Sequence, residues 1–242
     1  MSATARLADP LAARYAAVRA QTEALCRPLA VEDYGVQPMV DASPPKWHLA
    51  HTTWFFETFV LKAFVDGYRP VHERYEDLFN SYYNGIGQPY PRSRRGLLSR
   101  PTVDEVFDYR HQVDAAVANL LERQDGALNE RVELGLNHEQ QHQELILTDL
   151  KVNLGRNPLK PCYRSDLAST DTPRTEGPAA PLAFQSYAGG VIAIGKDQDG
   201  FCFDNERPRH DVLLRSFALA ERLVTNGEFL EFMADGGYDD PT

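Results

Sequence analysis

Two histidines four residues apart, His138 and His142, occupy the middle of the stretch Leu134–Leu154, LGLNHEQQHQELILTDLKVNL. The stretch has no proline, and its single glycine, Gly135, stands at its start, so it is predicted to run as one long helix. A helix turns about 100° per residue, which brings His142 almost back over His138 one turn on. Two imidazoles on one face can hold one metal ion. Gln141 and Asp149 fall on the same side, whereas Glu144 points well away and reads as a supporting or structural carboxylate. Such a pair also occurs on solvated helical faces. Here the polar cluster is flanked by Leu134, Leu136, Leu145, Ile146, Leu147 and Leu150, which places it on a helix that faces an interior.

A third imidazole is available upstream. Ser43-Pro44-Pro45 opens a second predicted helix, PPKWHLAHTTWFFETFVLKAFV, crowded with aromatic and aliphatic residues. Its two histidines, His48 and His51, are three apart and share a face. A histidine among so many aromatics is at least partly buried and needs a hydrogen bond or a metal. Spacing alone leaves open which of the two completes a site and which is a hydrogen-bonded core histidine.

Other elements must position these groups. Asp9-Pro10 starts a first helix with Leu11, Tyr15, Val18, Thr22 and Leu25 on one face, ending near Arg27-Pro28. Residues 66–100 form a long ordered loop rich in tyrosine and glycine, and a loop of that length in a compact domain is usually functional. It carries Arg92, Arg94, Arg95 and Arg100, a basic cluster suited to gripping carboxylates. Thr102 and Glu105 form a capping box for a helix running to about Arg123, with Val106, Tyr109, Val113, Val117 and Leu120 inward. Asn129 or a neighbour starts the helix of the histidine pair, and Asn157-Pro158 ends it. Four helices with one long crossover make a bundle, which builds metal sites from side chains on facing helices. Residues 160–182 read as a linker. From Ala183 on, short apolar alternation and glycines predict strands and turns, with a short helix from about Thr225.

Composition narrows the function. The 242 residues carry 25 basic and 35 acidic side chains, a formal charge of −10, which argues against nucleic acid or an anionic membrane as the main partner. No apolar run is long enough to span a bilayer. The three widely spaced cysteines, Cys26, Cys162 and Cys202, suggest a reducing compartment, by default the cytoplasm, and no disulfide framework.

Several stretches carry a resemblance. WHLAHTTWFFE, LFNSYYNGIGQPYPRSRRGLLSRPT and LNHEQQHQELILTDLK resemble the DinB-like bundle of the iron(II)-dependent sulfoxide synthases of ergothioneine biosynthesis. FDNERPRHDVLLRSFALAERLVTNGEFLEFMADGGY resembles the opening of the formylglycine-generating-enzyme-like domain that follows it in that family. The resemblance implies an α+β chain: a DinB-like bundle over residues 1–158, a linker over 159–182, and from 183 the start of a C-type-lectin-like domain. It implies non-haem iron(II) on His51, His138 and His142, with open positions for a sulfur substrate and O2; His48 is then a neighbour. Gln141 matches the residue that touches the imidazole of N-trimethylhistidine (hercynine). Arg92 and Arg95 match a pair holding the carboxylate of the thiol. Tyr82 and Tyr83 match tyrosines lining the catalytic pocket in one branch. The implied reaction joins a cysteine-type thiol to the trimethylhistidine imidazole and oxidises sulfur to a sulfoxide.

Related readings are a selenoneine synthase of the same architecture using a selenosugar, and a metal-dependent DinB-type thiol S-transferase that needs no O2. A non-enzymatic scaffold with core histidines is the third. The family's second domain is longer than the sixty residues after Ala183. The expectation is therefore that a further C-terminal part, as a separate or cleaved chain, completes the fold and covers Val191, Ile192, Ile194, Val212, Leu213, Leu214 and Phe217.

Overall fold

The computed structural model describes residues 10–81, 89–123, 125–167, 180–197 and 200–240. The chain divides into two units, Met1–Ala168 and Ser169–Thr242. The first is helical and the second contains all the strands among the described residues, so the chain is of the α+β class. No helix among the described residues is long and apolar enough to cross a membrane.

In the first unit, α1 spans Pro10–Cys26 and α2 spans Pro45–Phe56. The expected cap, Asp9, lies outside the described residues. Every residue of α2 is buried, the polar Lys46, His48, His51, Thr52 and Thr53 included. The helix widens into a π-helical segment, Glu57–Leu61, and ends in the short α3, Lys62–Phe64. The Glu57 carboxylate is buried there and accepts from the Tyr68 and Tyr109 hydroxyls and the Val71 N–H. The loop after it is not plain coil: it holds α4, Tyr75–Phe79, and a 3-10 helix, Arg92–Leu97. The Thr102 and Glu105 capping box opens α5, Val103–Leu120, and the expected stripe of Val106, Tyr109, Val113, Val117 and Leu120 is buried.

The long helix α6, Gly126–Arg156, begins three residues before Asn129. The reason is Asp125, whose carboxylate accepts from the Ala127 and Leu128 N–H groups and caps the helix earlier. The inward stripe of α6 also differs from the expected leucines. Leu145 and Leu147 are exposed, while Leu128, Val132, Leu136, Glu139, His142, Ile146, Asp149 and Asn153 are buried. Those residues follow the three-to-four-residue helical period, and the two leucines lie off that line. Gly135 permits the closest approach: a Cβ there would sit 2.5 Å from Cε1 of Phe56 on α2.

The helices α1, α2, α5 and α6 pack into one bundle, with α2 against both α5 and α6 and α1 against α6. A buried ionic cluster ties all four. Glu139 of α6 accepts from Arg19 at 2.8 Å and Thr22 at 2.6 Å, both on α1, and from Arg110 of α5. Arg19 also donates to Asp114 of α5 and Thr53 of α2, at 2.6 and 3.0 Å. Arg110 reaches the Arg19 carbonyl at 2.8 Å and the Thr52 hydroxyl at 3.3 Å.

In the second unit, β1 (Phe184–Tyr187) pairs antiparallel with β4 (Phe217–Ala220), Phe184 opposite Ala220. Between them in sequence, β2 (Gly190–Ile194) pairs with β3 (His210–Leu214), Gly190 opposite Leu214. Helix α7, Asn226–Ala234, is capped by Thr225, and Glu228 returns the capping bond and pairs with Arg222. Val191, Ile192, Ile194, Leu213 and Phe217 are exposed.

Burial pushes the Glu139 carboxyl up, but Arg110 and Arg19 more than offset this and hold it at about 2. Its stabilising contribution is therefore complete above the ordinary carboxylate range and is lost as pH falls from about 4.5 towards about 2. Glu139→Ala, which leaves two buried guanidinium groups uncompensated, should cost about 3–5 kcal/mol in urea unfolding at neutral pH. The gap between wild type and variant should narrow across that acid window.

Candidate metal centre

Two helices supply four imidazoles to one place. His48 and His51 come from α2, where three-residue spacing keeps them on one side; His138 and His142 come from α6, one turn apart. His51, His138 and His142 each offer a ring nitrogen, and these atoms lie within 4.8 Å of one another. The Nε2 atoms of His51 and His138 are 3.3 Å apart. Nitrogen ligands at about 2.1 Å from one ion sit about 3.0–3.4 Å from each other, so the spacing suits a shared cation.

His51 and His142 are each held from behind. His51 Nδ1 donates to the Phe79 carbonyl of α4 at 2.5 Å, which leaves its Nε2 as the free lone pair facing His138. The Trp47 ring stacks on His51, with centroids 4.5 Å apart and planes 11° from parallel. His48 is placed differently. Its Nδ1 lies 2.8 Å from Nδ1 of His142 and its Nε2 lies 3.0 Å from Oδ2 of Asp149. Both of its nitrogens are engaged by protein. That same Asp149 oxygen accepts the Ser43 N–H at 2.8 Å.

All four rings titrate below the ordinary histidine range. Burial is the main cause for each; for His51 the next is the neighbouring His138, and for His142 it is His51. His138 falls to about 4. The rings are therefore uncharged at neutral pH, the form that ligates metals. His138 Nδ1 is buried with no protein partner. A cluster of neutral imidazoles whose ring nitrogens converge fits a bound cation.

The basic and polar residues expected around the site divide. Arg95 is buried, donates to the Ser43 hydroxyl at 2.9 Å, and lies with its guanidinium carbon 3.3 Å from the centroid of the Trp47 ring. Arg92 is exposed, and its carbonyl accepts from Gln37 at 2.8 Å. Gln141 is exposed on α6, as is Glu144. Tyr82 and Tyr83 lie outside the described residues. Sequence reasoning noted that Asp149 shares a side with the histidines but assigned it no partner. It missed Glu139, Arg19 and Arg110, whose one local signal is an inward helical position: Arg19 is four residues after Tyr15, and Arg110 is three before Val113.

Comparison with known proteins gives two family matches. Residues 14–146 match the model of the DinB superfamily, and residues 179–241 match that of the sulfatase-modifying factor enzyme 1-like domain. The hercynine oxygenase of Mycolicibacterium smegmatis is 37% identical over 114 residues, covering 46% of this chain and 24% of the relative. That of Mycolicibacterium thermoresistibile is 28% identical over 199 residues, covering 81% of this chain and 42% of the relative. That of Mycobacterium tuberculosis is 29% identical over 204 residues, 81% and 44%. The chain spans less than half the length of these curated relatives.

The contrast between the two arginines is measurable. Arg95→Ala removes a buried hydrogen bond and a cation–π contact and should lower stability by about 1–3 kcal/mol in chemical denaturation. Arg92→Ala, at an exposed position, should stay within about 0.5 kcal/mol of wild type.

Proposed function

The chain belongs to the DinB superfamily, and on that premise we propose that it binds iron(II) through His51, His138 and His142 and takes part in O2-dependent C–S bond formation on N-trimethylhistidine. The observation that carries this reading is the trio of neutral imidazoles whose donor atoms lie within 4.8 Å. Three protein ligands are the count of a catalytic rather than a structural site, because positions remain open for substrate. Imidazole alone does not select iron over zinc or nickel; geometry and supply do. The choice of iron rests on the relatives named hercynine oxygenase and on the second family match, which a bare DinB-type thiol transferase would lack.

Iron in this setting would supply one-electron chemistry with a coordinated thiolate and O2. The overall change balances. Replacing the imidazole C–H and the thiol S–H by a C–S bond removes two electrons, and oxidising sulfur to the sulfoxide removes two more. O2 accepts all four, one oxygen ending on sulfur and the other leaving as water.

The chain's own residues then have defined tasks. His51, His138 and His142 hold the ion, and the Phe79 carbonyl keeps His51 Nε2 pointed at it. Trp47 and Phe55 wall the histidines with aromatic faces, which exclude water. Arg92 and Arg95 are assigned to the thiol's carboxylate on the resemblance, and Arg95 also packs on Trp47, which stacks on His51. Gln141 and the tyrosines Tyr82 and Tyr83 are assigned to the substrate pocket on the resemblance alone. We place the domain limits at residues 158 and 183, and the partner of the second unit's exposed strands in a further stretch of the same domain type. Three free cysteines suit a reducing compartment such as the cytoplasm, where ferrous iron is stable.

Protein stripped with chelator and reloaded anaerobically should bind about one iron per chain, read by elemental analysis. His138→Ala should abolish stoichiometric binding, and full occupancy in that variant would overturn the ligand assignment. Anaerobic mixing with N-trimethylhistidine and cysteine or γ-glutamylcysteine, followed by O2, should give the sulfoxide by mass spectrometry. A thioether formed without O2 would instead identify a thiol transferase, and turnover only with a selenosugar the selenium branch.

A further inference from the structure

The contacts behind His142 form an unbroken chain, and with Asp149 ionised and His48 neutral they admit one arrangement of protons. An ionised carboxylate only accepts hydrogen bonds, and Asp149 Oδ2 takes the Ser43 N–H at 2.8 Å and faces His48 Nε2 at 3.0 Å. His48 Nε2 must therefore carry a proton and donate. A neutral imidazole has one N–H, so His48 Nδ1 is a bare lone pair. His142 Nδ1 lies 2.8 Å from that lone pair and must donate to it. The single proton of His142 is then on Nδ1, and its Nε2 is bare.

We infer that His48 and Asp149 are positioning residues that lock His142 in its Nδ1–H tautomer and so direct its Nε2 lone pair into the cluster with His51 and His138. The inference rests on the reading of His142 as a metal ligand, and it gives His48 a task that spacing could not assign. Carboxylate–histidine support of a metal ligand is a general device. Here a second imidazole is interposed between the carboxylate and the ligand. The arrangement is rigid, because His48 is 2% exposed and Asp149 is itself fixed by the Ser43 N–H at the start of α2. Arg95 donates to the Ser43 side chain and packs on Trp47, which stacks on His51. The supports of His142 and of His51 thus meet at Ser43 and Arg95.

The decisive measurement is a long-range proton–nitrogen NMR correlation on metal-free protein labelled with 15N in its histidine rings. His142 should show a protonated Nδ1 and a bare Nε2, and His48 the reverse. His48→Leu should release His142 from that tautomer and weaken iron(II) binding by about 10–100-fold in chelator competition. His48→Gln should retain wild-type affinity, since its amide oxygen can accept from His142 while its NH2 donates to Asp149. A proton on Nε2 of His142 in the wild type would overturn the inference. So would a folded His48→Leu protein that binds iron as tightly as wild type. If the leucine variant fails to fold, the wild-type spectrum still decides. If the wild type binds no iron, the metal reading fails while the same spectrum still tests the proton placement.

Discussion

The bundle is built around a carboxylate that cannot be left alone. Glu139 sits fully buried on α6 between Arg19 of α1 and Arg110 of α5, with Thr22 completing its shell. Removing three charges from water is expensive, and the attraction between them offsets that cost only when every donor and acceptor is met. The geometry meets the demand by recruiting Thr52 and Thr53 of α2, Asp114 of α5 and the Arg19 carbonyl. The consequence is positional. A helix that slid by one turn would strand a buried charge, so the four helices are fixed in register at the level of Glu139. His138 is its neighbour in sequence and His142 lies one turn on.

The same stretch of α6 thereby presents two opposite environments. Adjacent residues on a helix diverge by about 100°. Glu139 looks into the ionic cluster, while His138 looks towards His51. On one side charge is concentrated and compensated. On the other, burial keeps four imidazoles neutral, and the guanidinium of Arg95 adds to the pressure against protonating His48, His51 and His142. A rigid charged cluster beside a group of neutral nitrogen donors holds the donors together.

The two units stand on different footings. The first has a continuous apolar core from Tyr15 through Leu150 beneath its polar clusters. The second consists, among its described residues, of two antiparallel pairs and a capped helix whose apolar residues remain exposed. Two-stranded pairs are marginal by themselves and usually need a further surface against which to bury a face.

The sequence by itself determined what depends on near neighbours. Helix starts follow from caps a few residues long, so Thr102 with Glu105 was legible, as was a helix beginning near Thr225. The π-helical segment and the three-residue-earlier start of α6 show the limit of that reading. The i, i+4 histidine pair follows from helical geometry alone, and the α+β class follows from the change of pattern after Ala183. What spacing left open were matters of long-range pairing. His48 and His51 are equivalent in local sequence, and only packing separates them: α6 gives His48 an aspartate and a histidine, while α4 gives His51 a backbone carbonyl. Arg19, Arg110 and Glu139 look like solvated charges one at a time, because their partners lie on other helices far along the chain. Arg92 and Arg95 look alike until the 3-10 helix turns one inward onto Trp47 and leaves the other in solvent. Local pattern fixes which face a residue occupies, whereas the identity of the group opposite that face is decided by packing, and here that packing sets both the charge and the proton positions of the site.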